Sequence, residues 1–438
     1  MQKKKSSFLF HHKAQKKLLE GVKKLLPPCL STYGKQKNLS SELFSEGKDP
    51  FQNLGLLIAK KALDQMQESC LDGKKTMLIL LHVFLNYGLL QIKKGLHPLE
   101  IRKEILKLQN QFFHELEKAK QTISTSKEVQ TLISHFPIEE LEKDLLLEAF
   151  IQTQKKGPFF LIEADTEVTS LRFAKGIKIP YGYASPYFIT NTERMCAELN
   201  APKLFFLPKK VTLASELSLF LENSAASNKP ILLLVNDLSG EALSTLVMNK
   251  LHNTSFLCAL KEPSFFPEKK KVYRIIQKEL SHTEIDKAYV FKDSSFFLGN
   301  FPSAQNLAIF SLGEKTPNKK KNKVASFKAY VNFLQFATKE GVIPGGITTF
   351  LRFAHLIKKE NPAFSKSLST SFEALCKKPL HQEKLFSSPL TYGYNLESSQ
   401  IEDFSQKGPF DTVHTLKQAF STALEFAFQI LHASVLIT

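Results

Sequence analysis

The sequence predicts a mixed α and α/β chain, in which a block of strands and helices is inserted into a helical domain. Three observations carry that reading: helical apolar periodicity between residues 13 and 153, short apolar strands between 159 and 291, and renewed helical periodicity after 323. At 438 residues the chain has room for roughly two to four domains. It is 43% hydrophobic and 23% charged, the balance of a folded globular protein.

A first helix is read over 13–26, where Leu18, Leu19, Val22, Leu25 and Leu26 recur at helical spacing opposite a lysine face, and Pro27 and Pro28 end it. Further helices are expected over 52–70, 76–94, 98–124 and 138–153, the third opening on Pro98 in its first turn. The apolar runs 159–162, 204–207, 231–235, 256–260 and 289–291 lie between turns and read as buried strands. The run 231–235 leads through Asn236 and Asp237 into a helix over 240–250, with Asp237 as its expected cap. Helices return over 324–340, 346–359, 364–376 and 411–434, and no internal repeat is present.

Lys and Arg outnumber Asp and Glu by 59 to 42, a formal charge of +17. The lysine runs at 3–5, 269–271 and 319–321 with Lys323 read as solvated loops and tails. No aromatic residues interleave regularly with them, as a single-strand groove requires. Five scattered cysteines (Cys29, Cys70, Cys196, Cys258, Cys376) form no C-x-x-C pair, which argues against a disulfide framework or zinc site and fits a reducing cytoplasm. The apolar stretch Phe8, Leu9, Phe10 is too short for a signal-peptide core. The longest apolar run, 77–90, is broken by His82 and Asn86 and falls short of the ~20 residues of a membrane span.

Generic catalytic patterns are absent: no G-x-S-x-G, H-E-x-x-H or G-x-G-x-x-G occurs. The stretch Gly73, Lys74, Lys75, Thr76 is not a P-loop, because Glu68 stands where the first glycine belongs and Lys75 where a hydroxyl belongs. Gly345 and Gly346 precede a helix start, where backbone N–H groups and the helix dipole favour a phosphate; tight packing alone also uses such a pair.

Residues 181–189 (YGYASPYFI) and 229–249 (KPILLLVNDLSGEALSTLVMN) resemble the apical segments of the group I, GroEL-type chaperonins. Residues 340–346 (EGVIPGG), 392–395 (YGYN), Phe410 with Asp411, 51–55 (FQNLG) and 71–76 (LDGKKT) resemble that family's equatorial motifs, in the same order along nearly the whole chain. The resemblance implies a chaperonin-like three-domain architecture: a helical equatorial domain (1–117 and 340–438), a small intermediate domain (118–174 and 308–339) and an inserted α/β apical, polypeptide-binding domain (175–307).

It also implies a site for ATP or ADP with magnesium. Asp72 matches the metal-binding Asp of the family's Gly-Asp-Gly-Thr-Thr-Thr loop, with Gly73 and Thr76 retained; Gly345, Gly346, Asn395 and Asp411 match further nucleotide-contacting positions. The departures are numerous. Leu71 replaces a glycine, Lys74 and Lys75 replace threonines, and Ile347 replaces the third glycine of a triplet. Residues 33–38 (YGKQKN) stand for Gly-Pro-Lys-Gly-Arg-Asn, and the chain between Asn38 and Phe51 is too short for the Lys-Asp-Gly hairpin. Ala329 stands where the water-orienting Asp is expected, so no catalytic residue is assigned. Hydrolysis needs charge neutralisation and an oriented water, and impaired or absent turnover is expected.

Positions matching the family's apolar client groove are Tyr183, Tyr187, Phe188, Leu221, Leu243, Val247 and Met248, with Ala214 and Ser218 smaller than usual. Leu243, Val247 and Met248 share a helical stripe; without the resemblance such a stripe reads as core. The expected function is capture of unfolded or partly folded polypeptide by a chaperonin with a degenerate ATP site, with a co-chaperonin or an intact chaperonin paralogue as further partners and no membrane. Two alternatives stand beside it: an active ATP-dependent foldase, and a basic scaffold binding nucleic acid or an acidic partner.

Overall fold

The computed structural model describes residues 8–34, 47–153, 157–164, 166–192, 194–218, 220–222, 229–252, 256–264, 266, 269–376, 380, 382–404, 408–433 and 435–437. The chain packs as two units, Met1–Glu139 with Lys328–Thr438, and Glu140–Phe327.

The first unit opens with strand β1 (Phe8–Phe10) and helices α1 (His11–Lys23) and α2 (Leu26–Ser31). Pro27 and Pro28 start α2 and do not merely end α1, since a first-turn proline has no needed N–H to lose. Helix α3 (Pro50–Ser69) is capped by Asp49, whose carboxylate accepts the Phe51 amide at 3.0 Å. Two glycines let α1 and α3 cross closely: a Cβ on Gly21 would lie 2.1 Å from the Gln52 carbonyl oxygen, and one on Gly55 2.2 Å from that of Leu18. Helix α4 (Lys74–Lys93) follows Gly73, which holds a φ of +78°. Among the described helices it alone is long and apolar enough to cross a membrane; here it is a core helix, with Met77, Leu80, Phe84 and Tyr87 buried.

Helix α5 (Pro98–Ala119) begins with a reciprocal capping box between His97 and Glu100. It stops five residues before the expected end at 124, because Lys120 turns extended and Gln121 bridges Val342. A second capping box, Thr125 with Glu128, then starts α6 (Ser126–Ser134), a stretch to which the sequence analysis assigns no element.

The second unit begins with α7 (Glu140–Gln152) and strands β2 (Phe159–Glu163), β3 (Ser170–Ile179), β4 (Gly182–Tyr183), β5 (Ala197–Asn200), β6 (Lys203–Val211) and β7 (Ile231–Leu238). Helix α8 (Gly240–Leu251), β8 (Leu257–Lys261), α9 (Lys269–Ile275), β9 (Lys287–Val290), β10 (Ser295–Leu298) and β11 (Gln305–Leu312) follow. They form a six-stranded sheet ordered β2-β11-β3-β10-β9-β5 and a four-stranded sheet ordered β4-β8-β7-β6. Strands β6, β7 and β8 are parallel, and the central run 231–235 is wholly buried, as an uninterrupted apolar strand should be.

Asp237 lies within β7 and pairs with Lys210 at 3.2 Å; it does not cap α8, whose N-cap is Ser239. The lysines at 269–271 open α9 and are no loop. Helix α10 (Pro317–Glu340) likewise starts before the lysine run at 319–321. There Lys320 donates to the Ala164 carbonyl at 2.8 Å, and Lys323 pairs with the buried Glu142 carboxylate. The run is folded helix because its lysines find acceptors.

The chain returns through β12 (Val342–Pro344), α11 (Thr348–Leu356), α12 (Pro362–Glu373), α13 (Gln382–Ser387), β13 (Tyr392–Asn395) and β14 (Gln400–Asp403). It closes with β15 (Phe410–Thr412), α14 (Val413–Leu431) and β16 (Val435–Ile437). Strand β12 pairs antiparallel with β15, placing Ile343 opposite Asp411, and β16 pairs with β1. The first unit's core explains part of the bias toward 37 phenylalanines: Phe112 stacks on Phe350 at 5.4 Å and on Phe420 at 5.1 Å, and Phe84 meets Phe420 edge-on at 4.9 Å.

Candidate functional site

The equatorial motifs converge at the start of α4. Asp72 Oδ1 accepts the Gly73 amide at 2.6 Å, and the Thr76 hydroxyl meets the Tyr33 hydroxyl at 2.9 Å. The Lys75 ammonium donates to the Thr32 carbonyl, and the Cys29 thiol to the Lys75 carbonyl at 3.5 Å. The end of α2 is thereby fastened over the first turn of α4 by side chains from both.

The β12–β15 pair brings in the second group. Gly345 donates its amide to the Pro409 carbonyl at 2.7 Å, and Gly346 donates to Asp411 Oδ2 at 2.8 Å. Asp411 is half-buried beside Asp72: desolvation and then that second negative charge push its carboxyl up to about 7, against the opposing pull of the Gly346 amide. Burial also pushes the Tyr33 hydroxyl up, with Asp411 and Asp72 adding to it, and burial holds the Lys74 and Lys75 ammonium groups down. Asp72, Gly73, Thr76, Gly345, Gly346 and Asp411 are thus one cluster. Asn395 is not bonded into it: its amide donates to Glu402 at 3.0 Å and its carbonyl accepts Glu397 N at 2.9 Å, both within its own hairpin. Ala329 lies half-buried on α10 and offers a methyl group. No group of three or more His, Cys, Asp or Glu side chains fit to hold a metal occurs among the described residues.

In the second unit, α8 packs beside two 3-10 turns, Pro186–Phe188 and Ala214–Leu217. Its inward face is Ala242 and Leu246, both fully buried. Met248 is 52% exposed on the outer face and Tyr187 63% exposed on the neighbouring turn. Leu221, Leu243 and Val247 are half-buried at the edge of the core. Phe188 and Tyr183 belong to the core itself, because they sit beneath α8 against the four-stranded sheet; they support this surface and do not present it. Ala214 is half-buried and Ser218 exposed.

Two large apolar side chains extend the surface beyond the positions read from sequence, Leu213 at 55% and Leu251 at 56% exposure. Leu251 continues the four-residue spacing of Leu243 and Val247, a signal that could have found it. Leu213 sits in a turn and gave none. Tyr33 opens the stretch 33–38 matched to the family's loop, but its own bond to Thr76, 43 positions away, is not marked in the sequence.

No protein-family model matches the chain. Across an alignment of 515 residues it is 24% identical to chaperonin GroEL 3 of Protochlamydia amoebophila (strain UWE25), covering 98% of this chain and 96% of that protein. Its fold is similar to the crystal structure of chaperonin gp146 from the bacteriophage EL 2 (Pseudomonas aeruginosa) in presence of ATP-BeFx, with a TM-score of 0.75 over 98% of both chains at 16% identity. A second crystal form of gp146 superposes with a TM-score of 0.68 at 16% identity, over 98% of this chain and 99% of that one. The architecture is that of a three-domain chaperonin, and the sequence likeness runs the length of the chain. This chain is thus similar in sequence to a GroEL-like chaperonin over nearly its whole length and shares the chaperonin fold.

Proposed function

We propose that this chaperonin captures unfolded or partly folded polypeptide on the apolar surface around α8, and that it hydrolyses ATP poorly or not at all. The observation that carries capture is the exposure of Tyr187, Leu213, Met248 and Leu251 around one helix. Exposed apolar side chains gathered in one place gain free energy by meeting the exposed apolar segments of an unfolded chain. On this reading residues 175–307 are the client-binding domain and 118–174 with 308–339 the bridging pieces. The free thiols fit a reducing compartment such as the cytoplasm.

Impaired turnover rests on the chemistry of the α4 cluster. A magnesium triphosphate needs free N–H and hydroxyl donors at its oxygens and carboxylates at its ion. The amides of Gly73, Gly345 and Gly346 and the hydroxyl of Thr76 already have protein partners. Two carboxylates remain, Asp72 and Asp411, and Ala329 supplies no base to orient water. These residues, so arranged, do not fit the nucleotide. Steady-state ATPase with magnesium should be near background, with Asp72→Ala no lower and Ala329→Asp no higher. Aggregation of an unfolded client should nonetheless be suppressed without nucleotide. Robust turnover abolished by Asp72→Ala would refute the impaired site, and failure to suppress aggregation would refute capture.

A further inference from the structure

We propose that Tyr33, clamped with the end of α2 over the first turn of α4, closes the phosphate side of the cradle, so that the chain's own side chains stand where a nucleotide would. This rests on the reading of the α4 cluster as an altered nucleotide site. Three ties run from α2 and the residues just after it to two consecutive positions of α4: Tyr33 to Thr76, Thr32 to Lys75, and Cys29 to Lys75. Tyr33 also packs against the core of the first unit and lies close enough to Asp72 and Asp411 to feel both charges. A phenol there is uncharged, apolar on its faces and polar at its tip. It satisfies Thr76 without adding a third negative charge beside two carboxylates, which a phosphate would do.

The neighbouring donors also turn inward: the Gly346 amide takes Asp411 and the Gly73 amide takes Asp72, so these amides are paired within the cradle. Opening the site therefore means breaking the clamp first. A ligand bound only by a minor open state has its apparent affinity reduced by the population of that state.

The test compares the full-length protein with Tyr33→Ala. Binding of magnesium ATP is followed by melting temperature and by titration calorimetry, and Cys29 labelling by a thiol reagent in a Cys376→Ser background. Cys29 is buried under the clamp, which pushes its thiol up to about 12. In the Tyr33-containing protein, melting and Cys29 labelling should not respond to magnesium ATP. In Tyr33→Ala, Cys29 should label faster, and nucleotide should bind at least about tenfold more tightly, raise the melting temperature and slow the labelling. A folded Tyr33→Ala that ignores nucleotide would overturn the closure while leaving capture of clients intact. So would a Tyr33-containing protein whose melting or Cys29 labelling already responds to magnesium ATP, a measurement that does not depend on the variant folding. Client aggregation measured beside both proteins reports separately on the proposed function.

Discussion

Asp411 carries a conflict that can be read through pH. Its carboxyl, ordinarily near 3.8, is lifted to about 7 by burial and by Asp72. The folded protein therefore keeps a proton that the unfolded chain releases, so this group's stabilisation is complete below the ordinary value and disappears as pH rises through about 7. Urea midpoints should fall between pH 5 and pH 8, and Asp411→Asn should flatten that slope; an unchanged slope would mean that Asp411 ionises normally. At the client surface, exposure separates residues that the sequence grouped together. Tyr187→Ser with Met248→Ser removes side chains mostly in water, so stability should change by no more than about 1 kcal/mol while aggregation suppression is lost. Leu243→Ser with Val247→Ser reaches into the core edge and should cost about 2–4 kcal/mol, visible as a lowered melting temperature.

Elements with a strong local period were legible, and elements defined by a distant partner were not. Helix α4 and strands β7 and β8 were read within a few residues, because burial on all sides leaves an uninterrupted apolar signature, and α8 because its apolar residues keep helical spacing. Strand β3 carries Arg172, Lys175 and Lys178 on exposed positions, so no apolar run marks it, and β10 and β11 are defined by pairing to it. The start of α10 was misplaced because its lysines are stabilised by Glu142 and Ala164, which lie more than 150 positions away in sequence. The site divides the same way: positions 72–76, 345–346 and 411 followed from motif likeness, whereas the Tyr33 clamp exists only once α2 and α4 are packed. Close packing also sets the cost of a change at Gly55. A methyl there would sit 2.2 Å from the Leu18 carbonyl oxygen, which belongs to backbone and cannot swing aside. Gly55→Ala should push α1 from α3 and destabilise by about 1–3 kcal/mol, measured by urea unfolding, with no benefit from its better helix propensity.

The chain leaves the first unit once, after Glu139, and rejoins it once, at Lys328. Each unit has its own apolar core: Phe84, Phe112, Phe350 and Phe420 in one, and Tyr181, Phe188, Leu233, Leu246 and Phe297 in the other. A core assembled from one uninterrupted stretch owes nothing to loop closure through the rest of the chain, which favours independent folding. The fragment Glu140–Phe327 also retains the Lys323–Glu142 pair and the Phe310–Phe327 contact, at 5.3 Å between ring centroids, that pin the start of α10 to it. It should therefore fold alone, melt cooperatively, and suppress client aggregation through Tyr187, Leu213, Met248 and Leu251. The complementary pieces, residues 1–139 and 328–438, are separate chains once cut and should not associate into a stable unit without a linker. In calorimetry the full chain should show two transitions, one matching the fragment. A fragment with no circular-dichroism melt, or one that folds yet leaves clients to aggregate, would mean that capture depends on residues outside Glu140–Phe327.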